Sequence, residues 1–218
     1  MEKVVEMQNV SVKIQNKVIL DDVSCAIDAG HVYGFVGRNG SGKSMLFKTI
    51  VGFIKPCAGK VIIQNRQLHK NGMDFAPQIG FLIEHPGFLR QLNAYQNLDY
   101  FAGIKGIIGK KEIERALLRV HLDPGDPRPV RKYSLGMQQK LAIAQAVMEN
   151  HPILIFDEPM NSLDQESMEY VKNIILEERE IGKTILLASH NPQDILTLCD
   201  RTFTIDNGRL IDSLAMTA

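Results

Sequence analysis

The chain opens with apolar and polar residues in alternation, Val10-x-Val12-x-Ile14 and then Val18-Ile19-Leu20, with Gln15-Asn16-Lys17 between the two runs. A period of two with a polar break predicts an antiparallel hairpin within the first thirty residues. From Val32-Tyr33-Gly34-Phe35-Val36 onward, short apolar runs alternate with stretches of helical periodicity. That alternation marks a parallel α/β core. Its strands are expected at 32–36, 60–64, 79–83, 153–156 and 184–188. Between the third and fourth of these, roughly 84–152, the pattern is helical without a strand, and it reads as a helical insertion. Residues 1–83 and 153–218 then form the core of a single domain.

Inside the insertion, Lys111-Glu112-Ile113-Glu114-Arg115-Ala116-Leu117-Leu118-Arg119-Val120 predicts a helix, and the proline-rich run from Asp123 to Pro129 ends it as a linker. Met137, Leu141, Ala144 and Met148 fall at i, i+4, i+7 and i+11, one apolar stripe of a helix beginning near Ser134. A further helix is expected over about 165–180, with Met168, Val171 and Ile175 on one face. The chain closes with a second hairpin, Thr202 to Ile205 and Arg209 to Ser213, around Asp206-Asn207-Gly208.

Composition narrows the function classes. The 218 residues suffice for one large domain. Lys plus Arg (25) equals Asp plus Glu (25), so no net field draws the protein to nucleic acid or to an anionic membrane, and no nucleic-acid partner is expected. Charges interrupt every apolar run short of the roughly 18 residues that a membrane span requires. Cys25, Cys57 and Cys199 are odd in number and far apart, which reads as reduced cytosolic thiols.

Candidate chemistry begins at Gly37-Arg38-Asn39-Gly40-Ser41-Gly42-Lys43-Ser44, which matches G-x-x-x-x-G-K-[ST] directly after a strand and before a helix. Glycines let such a loop turn its N–H groups inward, and the helix N-terminus adds partial positive charge, so a phosphate is held by backbone. Lys43 would bridge the β- and γ-phosphates, Ser44 would ligate magnesium, and Met45 follows at the mouth of the site. A second element, Ile153-Leu154-Ile155-Phe156-Asp157-Glu158, is a buried strand ending in two acids. Asp157 is placed to hold the magnesium through a water, and Glu158 to polarise the water that attacks the γ-phosphate.

Between the two lies Tyr133-Ser134-Leu135-Gly136-Met137-Gln138-Gln139-Lys140-Leu141, a polar turn opening a helix. With this third motif the sequence resembles an ABC-transporter ATP-binding subunit over nearly its whole length. The family's L-S-G-G-Q signature aligns with Tyr133 to Met137, its D-loop with Asn161-Ser162-Leu163-Asp164, and its switch histidine with His190. The resemblance implies a P-loop NTPase core of ABC ATPase type, with an N-terminal antiparallel β subdomain and an inserted α-helical subdomain. It also implies ATP and Mg²⁺ as ligands, and two copies, identical or related, closing head-to-tail around two ATP molecules. In that arrangement Ser134, Leu135, Gly136, Met137 and Gln138 meet the partner copy's nucleotide. Asp164 sits at the dimer seam or is simply an acid at a helix start, and His190 contacts the γ-phosphate or is an ordinary loop histidine.

Four positions depart from the family's usual residues. Ile14 stands where an aromatic stacks on adenine, which implies weaker base discrimination. Glu84 takes the place of a loop glutamine that touches magnesium and responds to the membrane partner, unless it is merely a surface acid. Leu135 and Met137 replace a glycine and a glutamine of the signature. Together the I-E-x-P-G-F run at 83–88 and the S-L-G-M-x-Q run at 134–139 resemble the bacitracin and lantibiotic resistance branch. The implied function is an ATP-hydrolysing subunit, cytoplasmic and held at the inner face of the membrane by a separate integral-membrane permease, an exporter of peptide antibiotic or other amphipathic substrate. An ABC-type ATPase of repair or translation is the alternative. The permease would dock beside Glu84 to Arg90 and Asn93 to Tyr100, where Phe88 and Leu89 are either exposed apolar contacts or core.

Overall fold

The computed structural model describes residues 2–84 and 87–215. Strands β1 (Lys3–Ile14) and β2 (Lys17–Asp28) form the first hairpin. Its turn is shorter than the sequence suggests, because Lys17 already pairs with Ile14. Gln15 and Asn16 alone make the turn at φ 47° and 66°, and two left-handed residues match the twist of the flanking strands. Next come β3 (Val32–Val36), α1 (Lys43–Val51), β4 (Ala58–Ile63), β5 (Arg66–Gln67) and β6 (Ile79–Leu82). Helices α2 (Ala94–Lys105), α3 (Lys110–Arg119) and α4 (Leu135–Val147) follow, with a 3₁₀ turn at Val130–Lys132. The chain continues through β7 (Ile153–Asp157), α5 (Gln165–Glu180), β8 (Thr184–Ala188), α6 (Pro192–Leu198), β9 (Arg201–Asp206) and β10 (Arg209–Ala215).

Two sheets result. The larger has the order β10-β9-β3-β8-β7-β6, parallel throughout except for β10, which pairs antiparallel with β9 at one edge. The smaller is antiparallel, β2-β1-β4-β5. It corrects one expectation: the strand near 60–64 belongs here, with Met7 opposite Val61 and Val5 opposite Ile63, and not to the parallel core. Val61 and Ile63 are buried while Lys60 is exposed, the alternation of a sheet covered on one face.

Period two also sorts the parallel strands between two cores. Tyr33, Phe35, Ile153, Ile155, Leu186 and Ala188 face the antiparallel sheet and α1. Val32, Leu154, Phe156, Ile185 and Leu187 face the opposite way, onto the helices. β7 and β8 are buried at every position, as central strands with both faces covered must be. Among the described residues, the stretch between β6 and β7 contains helices and no strand. The stripe of α4 is as expected, with Leu141 and Ala144 inside and Met137 half-buried against the same core.

A buried amide ties residues 89–93 to the first turn of α2, and backbone bonds from Val130 N to Leu92 O and from Arg131 N to Arg90 O hold them as well. Asn97 is fully buried; its Oδ1 accepts from Leu89 N at 2.8 Å, and its Nδ2 donates to the carbonyls of Leu89, Leu92 and Asn93 at 3.1, 3.3 and 2.9 Å. Phe88 is buried with its ring 6.2 Å from that of Phe101, so the core reading holds for it, while Leu89 is half-buried. His85 and Pro86 of the 83–88 run lie outside the described residues. Replacing Asn97 by leucine keeps the branched shape but strands the Leu89 N–H, while the carbonyls of Leu89, Leu92 and Asn93 keep the backbone donors Leu92 N, Val130 N and Asn97 N. Asn97→Leu is expected to lower stability in urea unfolding by about 3 kcal/mol, and a loss under about 0.5 kcal/mol would show that the amide is not what holds this loop.

Candidate functional site

The parallel strands deliver three segments to one edge of the sheet. Residues 37–42 follow β3, Asp157 ends β7 with Glu158 next, and Ser189-His190 follow β8. That carboxyl edge is where open α/β sheets bind ligands. The phosphate-loop geometry needs its glycines at two places: Gly42 sits at φ 118° as the residue before α1, and a Cβ on Gly37 would strike the backbone of Ile205. Only glycine adopts the first and fits the second. The loop is clasped from outside, since Gly208 N donates to Ser41 O and Asp21 N donates to Gly208 O, at 2.8 and 2.9 Å. The hairpin turn at Asn207-Gly208 is therefore part of the loop's frame.

Lys43 is buried and its ammonium donates to Gly37 O at 2.7 Å and to Arg38 O at 3.3 Å. It is stored on the loop's own carbonyls, within a side-chain rotation of any phosphate the loop holds. Lys43, Ser44, Met45, Asn39, Gly40 and Gly42 line one cavity with Asp157 and Glu158. Ile19 of β2 completes its wall. Ile14 is exposed at the hairpin tip and is not among the lining residues.

Asp157 is buried, and burial foremost raises its carboxyl above the usual range. A hydrogen bond from Ser44 and the charge of Lys43 oppose the rise, and the charges of Glu158 and Glu84 add to it. Glu158 holds φ 53°, rare for a side-chain-bearing residue. Its Oε2 accepts from His190 N at 3.2 Å and from His190 Nδ1 at 2.7 Å, while its Oε1 is buried without a hydrogen-bond partner. Ser41 Oγ is in the same condition. Two orphaned polar atoms beside a stored ammonium suit an anionic ligand that brings its own water. Ser44 and Asp157 fit magnesium only if phosphate oxygens complete the shell, as that ion prefers: among the described residues no cluster of three His, Cys, Asp or Glu offers a metal site alone.

A second groove is lined by Ser134, Leu135, Gly136, Met137, Ser162 and Asp164 among others, and shares no lining residue with the first cavity. Ser134 caps α4, its Oγ accepting from Met137 N at 3.2 Å, so the free N–H groups of a helix start are presented there. Leu135 is exposed, and Gln138 turns back to donate to Tyr133 O. Asp164 caps α5 by accepting from Ser167 N at 2.8 Å, and the Ser167 hydroxyl foremost, with that N–H, holds its carboxyl below the usual range. Glu84, at φ 55°, accepts from Lys48 of α1 at 2.6 Å.

Sequence reasoning missed Lys48, Ile19 and Gln139, whose Nε2 donates to the carbonyls of Glu158 and Pro159. It also missed an apolar strip along the β6 edge. There the Phe53 ring stands edge-on to Phe81 at 5.2 Å and to Phe75 at 6.1 Å. Phe81, Phe101 and Ile104 line a cleft floored by His151, where Lys105 and Glu149 also meet. Phe53, Phe75, Tyr100 and Ile104 are all more than half exposed. Among the described residues no helix is long and apolar enough to cross a membrane.

Residues 20–161 match the family model described as ABC transporter. An uncharacterized ABC transporter ATP-binding protein of Bacillus subtilis, YybJ, is 39% identical over 94% of this chain and 94% of its own. The bacitracin transport ATP-binding protein BcrA of Bacillus licheniformis is 36% identical over 89% of this chain and 64% of its own. The lantibiotic transport ATP-binding protein SrtF of Streptococcus pyogenes is 32% identical over 94% and 88%. Among solved structures, an ATP-binding subunit of an ABC transporter superposes with a TM-score of 0.88 at 26% identity, covering 98% of this chain and 90% of that one. A dimeric ATP-binding cassette in a post-hydrolysis state with ADP and Pi has the same fold, with a TM-score of 0.86 at 24% identity, over 98% of this chain and 99% of that one.

A carboxyl raised by burial gives a stability signature. Above its folded-state pKa, ionised Asp157 costs the folded chain what the unfolded chain does not bear, so stability is lost as pH rises through that value and regained as pH falls below it. Asp157→Asn is therefore expected to raise the melting temperature of the nucleotide-free chain at pH 8, with the gap closing as the pH falls into the carboxylate range. A variant that melts below wild type at pH 8 would contradict the burial argument.

Proposed function

The chain belongs to the ABC transporter family as an ATP-binding subunit, and from that premise we propose that it is an ATP hydrolase that closes as a dimer, of identical or related subunits, on two MgATP and drives a separate membrane permease. The observation that carries the reading is Glu158. One carboxylate oxygen is tied to His190, the other is buried and unpartnered, and Lys43, Ser44 and Asp157 line the same cavity. A buried acceptor without a partner is costly, and a water donating to Oε1 removes the cost while being oriented for attack.

In this reading the N–H groups of 37–44 wrap the phosphates, and Lys43 turns from the Gly37 and Arg38 carbonyls to the β- and γ-phosphates. Ser44 and Asp157 would hold magnesium, which would supply positive charge to the phosphates. Water attacks the γ-phosphorus, the bond from that phosphorus to the β–γ bridging oxygen breaks, and ADP leaves with the electron pair. Glu158 draws the proton from the water as the new bond forms, and His190 keeps the carboxylate in place. Ser134 to Gln138 close on the γ-phosphate of the partner copy, and Asp164 lies at the seam between the two.

The sequence places the permease beside Glu84 to Arg90 and Asn93 to Tyr100; with Phe88 buried, we move that contact to the adjoining aromatic strip of Phe53, Phe75, Phe81 and Ile104, because an exposed apolar patch of this kind marks a protein interface. The names of the bacitracin and lantibiotic transport relatives support export of a peptide antibiotic or similar amphipathic substrate, with the subunit on the cytoplasmic face of the membrane.

Two measurements test this. Glu158→Gln is expected to lower ATP turnover by about 10²- to 10⁴-fold with nucleotide binding retained, and equal rates would remove the hydrolase reading. A tagged pull-down in mild detergent is expected to recover a polytopic membrane protein near stoichiometry, and the Phe53→Ser, Ile104→Ser double variant to lose it while still binding ATP. Recovery of ribosomes, DNA or soluble proteins alone would overturn the transport assignment.

A further inference from the structure

The loop carrying Glu158 is gripped from an unexpected side. Helix α4, whose first turn presents Ser134 to Gly136, lies across residues 157–164 at two points. At the first, a Cβ on Gly136 would come within 3.0 Å of Ser162 O, so the helix start sits against the loop with no space between. At the second, three residues on, the half-buried Gln139 donates through Nε2 to Glu158 O at 3.2 Å and to Pro159 O at 3.0 Å.

The residue gripped is the strained one. Glu158 holds a left-handed φ of 53°, a conformation that persists only where the surroundings over-determine it. Its N–H is fixed to Ala188 O of β8 at 2.9 Å, and its carbonyl accepts from Asn161 N at 3.2 Å within the following turn. Both restraints come from the strand and its own loop. Gln139 is the restraint that comes from α4. A carboxamide is well matched to this position, because one nitrogen carries two N–H groups for two carbonyls.

We propose that Gln139 is a positioning residue for ATP hydrolysis, a strut that holds the Glu158 backbone in its left-handed conformation and links it to the helix start that meets the partner copy's nucleotide. The proposal rests on the reading of Glu158 as the group that polarises the attacking water. Because Gly136 and Gln139 are less than one turn apart on a single helix, a shift of the α4 start is passed to the Glu158 carbonyl without an intervening flexible segment. The Glu158 carboxylate of one copy thereby senses whether its own α4 has engaged nucleotide across the dimer.

The test uses the full chain and two variants. Gln139→Met keeps length and volume but removes both donors, whereas Gln139→Lys restores a donor of similar reach. In Gln139→Met, kcat is expected to fall about tenfold, equivalent to about 1.4 kcal/mol, with KM for ATP and the affinity for a fluorescent ADP within about twofold of wild type. Gln139→Lys recovers most of the loss. The His190 ring signals, read by NMR without nucleotide, should move in Gln139→Met towards their positions in Glu158→Gln, because His190 Nδ1 reports where the carboxylate lies.

If wild type hydrolyses ATP far faster than Glu158→Gln, while Gln139→Met matches wild type in kcat and leaves the His190 signals in place, the strut alone is overturned. A loss of kcat/KM carried by KM with kcat unchanged, or no recovery in Gln139→Lys, overturns it too. Equal turnover of wild type and Glu158→Gln overturns the reading of Glu158 and the proposal with it.

Discussion

Parallel pairing of β3, β8 and β7 is the constraint on which the rest depends. Gly34 lies opposite Leu187, and Asp157 opposite Ala188, so the phosphate loop, the two acids and His190 leave the sheet within a residue or two of one another. A slip of one residue in any pair would turn each side chain to the other face, exchanging the Ile153 and Ile155 core for that of Leu154 and Phe156. Hydrophobic sorting between two cores thus fixes the register, and the register fixes the chemistry. No side chain at the site chooses its own place; it inherits one from apolar neighbours several residues back along its strand.

The cost of this arrangement is concentrated at the edge. Of the buried side-chain atoms without a hydrogen bond among the described residues, two of four are at this edge, Ser41 Oγ in the phosphate loop and Glu158 Oε1 in the cavity beside it. A third, Glu178 Oε2, lies in ion-pair contact with Lys183, which compensates it. Asp157 is ionisable and buried, and Glu158 has an unfavourable backbone conformation. Each of these would be a defect in a structural core. Gathered beside Lys43, they are the features of a site preorganised for a hydrated phosphate with a cation: a water donates to the orphaned Glu158 acceptor, a phosphate oxygen accepts from Ser41 Oγ, and positive charge offsets the buried Asp157 carboxylate.

What was legible in the sequence follows from how local each feature is. The phosphate loop, the acids at the end of β7 and the cap at Ser134 are contiguous runs whose types and order suffice. The strand at Ala58–Ile63 was legible as a strand but not as a member of the smaller sheet, because alternation records which face is covered and not which neighbour is paired. Phe88 stood open between core and surface because an apolar residue in a loop carries no period; the Asn97 amide that fastens that loop decides it. Gln139 was invisible for a different reason. Its partners are backbone carbonyls about twenty residues away, which present the same chemistry in every sequence, so no residue type at 158 or 159 signals the contact.

Charge balance then limits how such a molecule can find its partners. With 25 basic and 25 acidic residues, long-range steering is weak and association must rest on short-range complementarity. The two exposed features that offer it differ in kind. The groove at Ser134 to Gly136 presents helix N–H groups and is complementary to an anion, so in the proposed dimer its affinity depends on what nucleotide the other copy carries. The Phe53, Phe75 and Phe81 strip is complementary to apolar surface and depends on no ligand. A switchable contact and a constant one on the same chain suit a subunit that stays attached to one partner while it opens and closes on another.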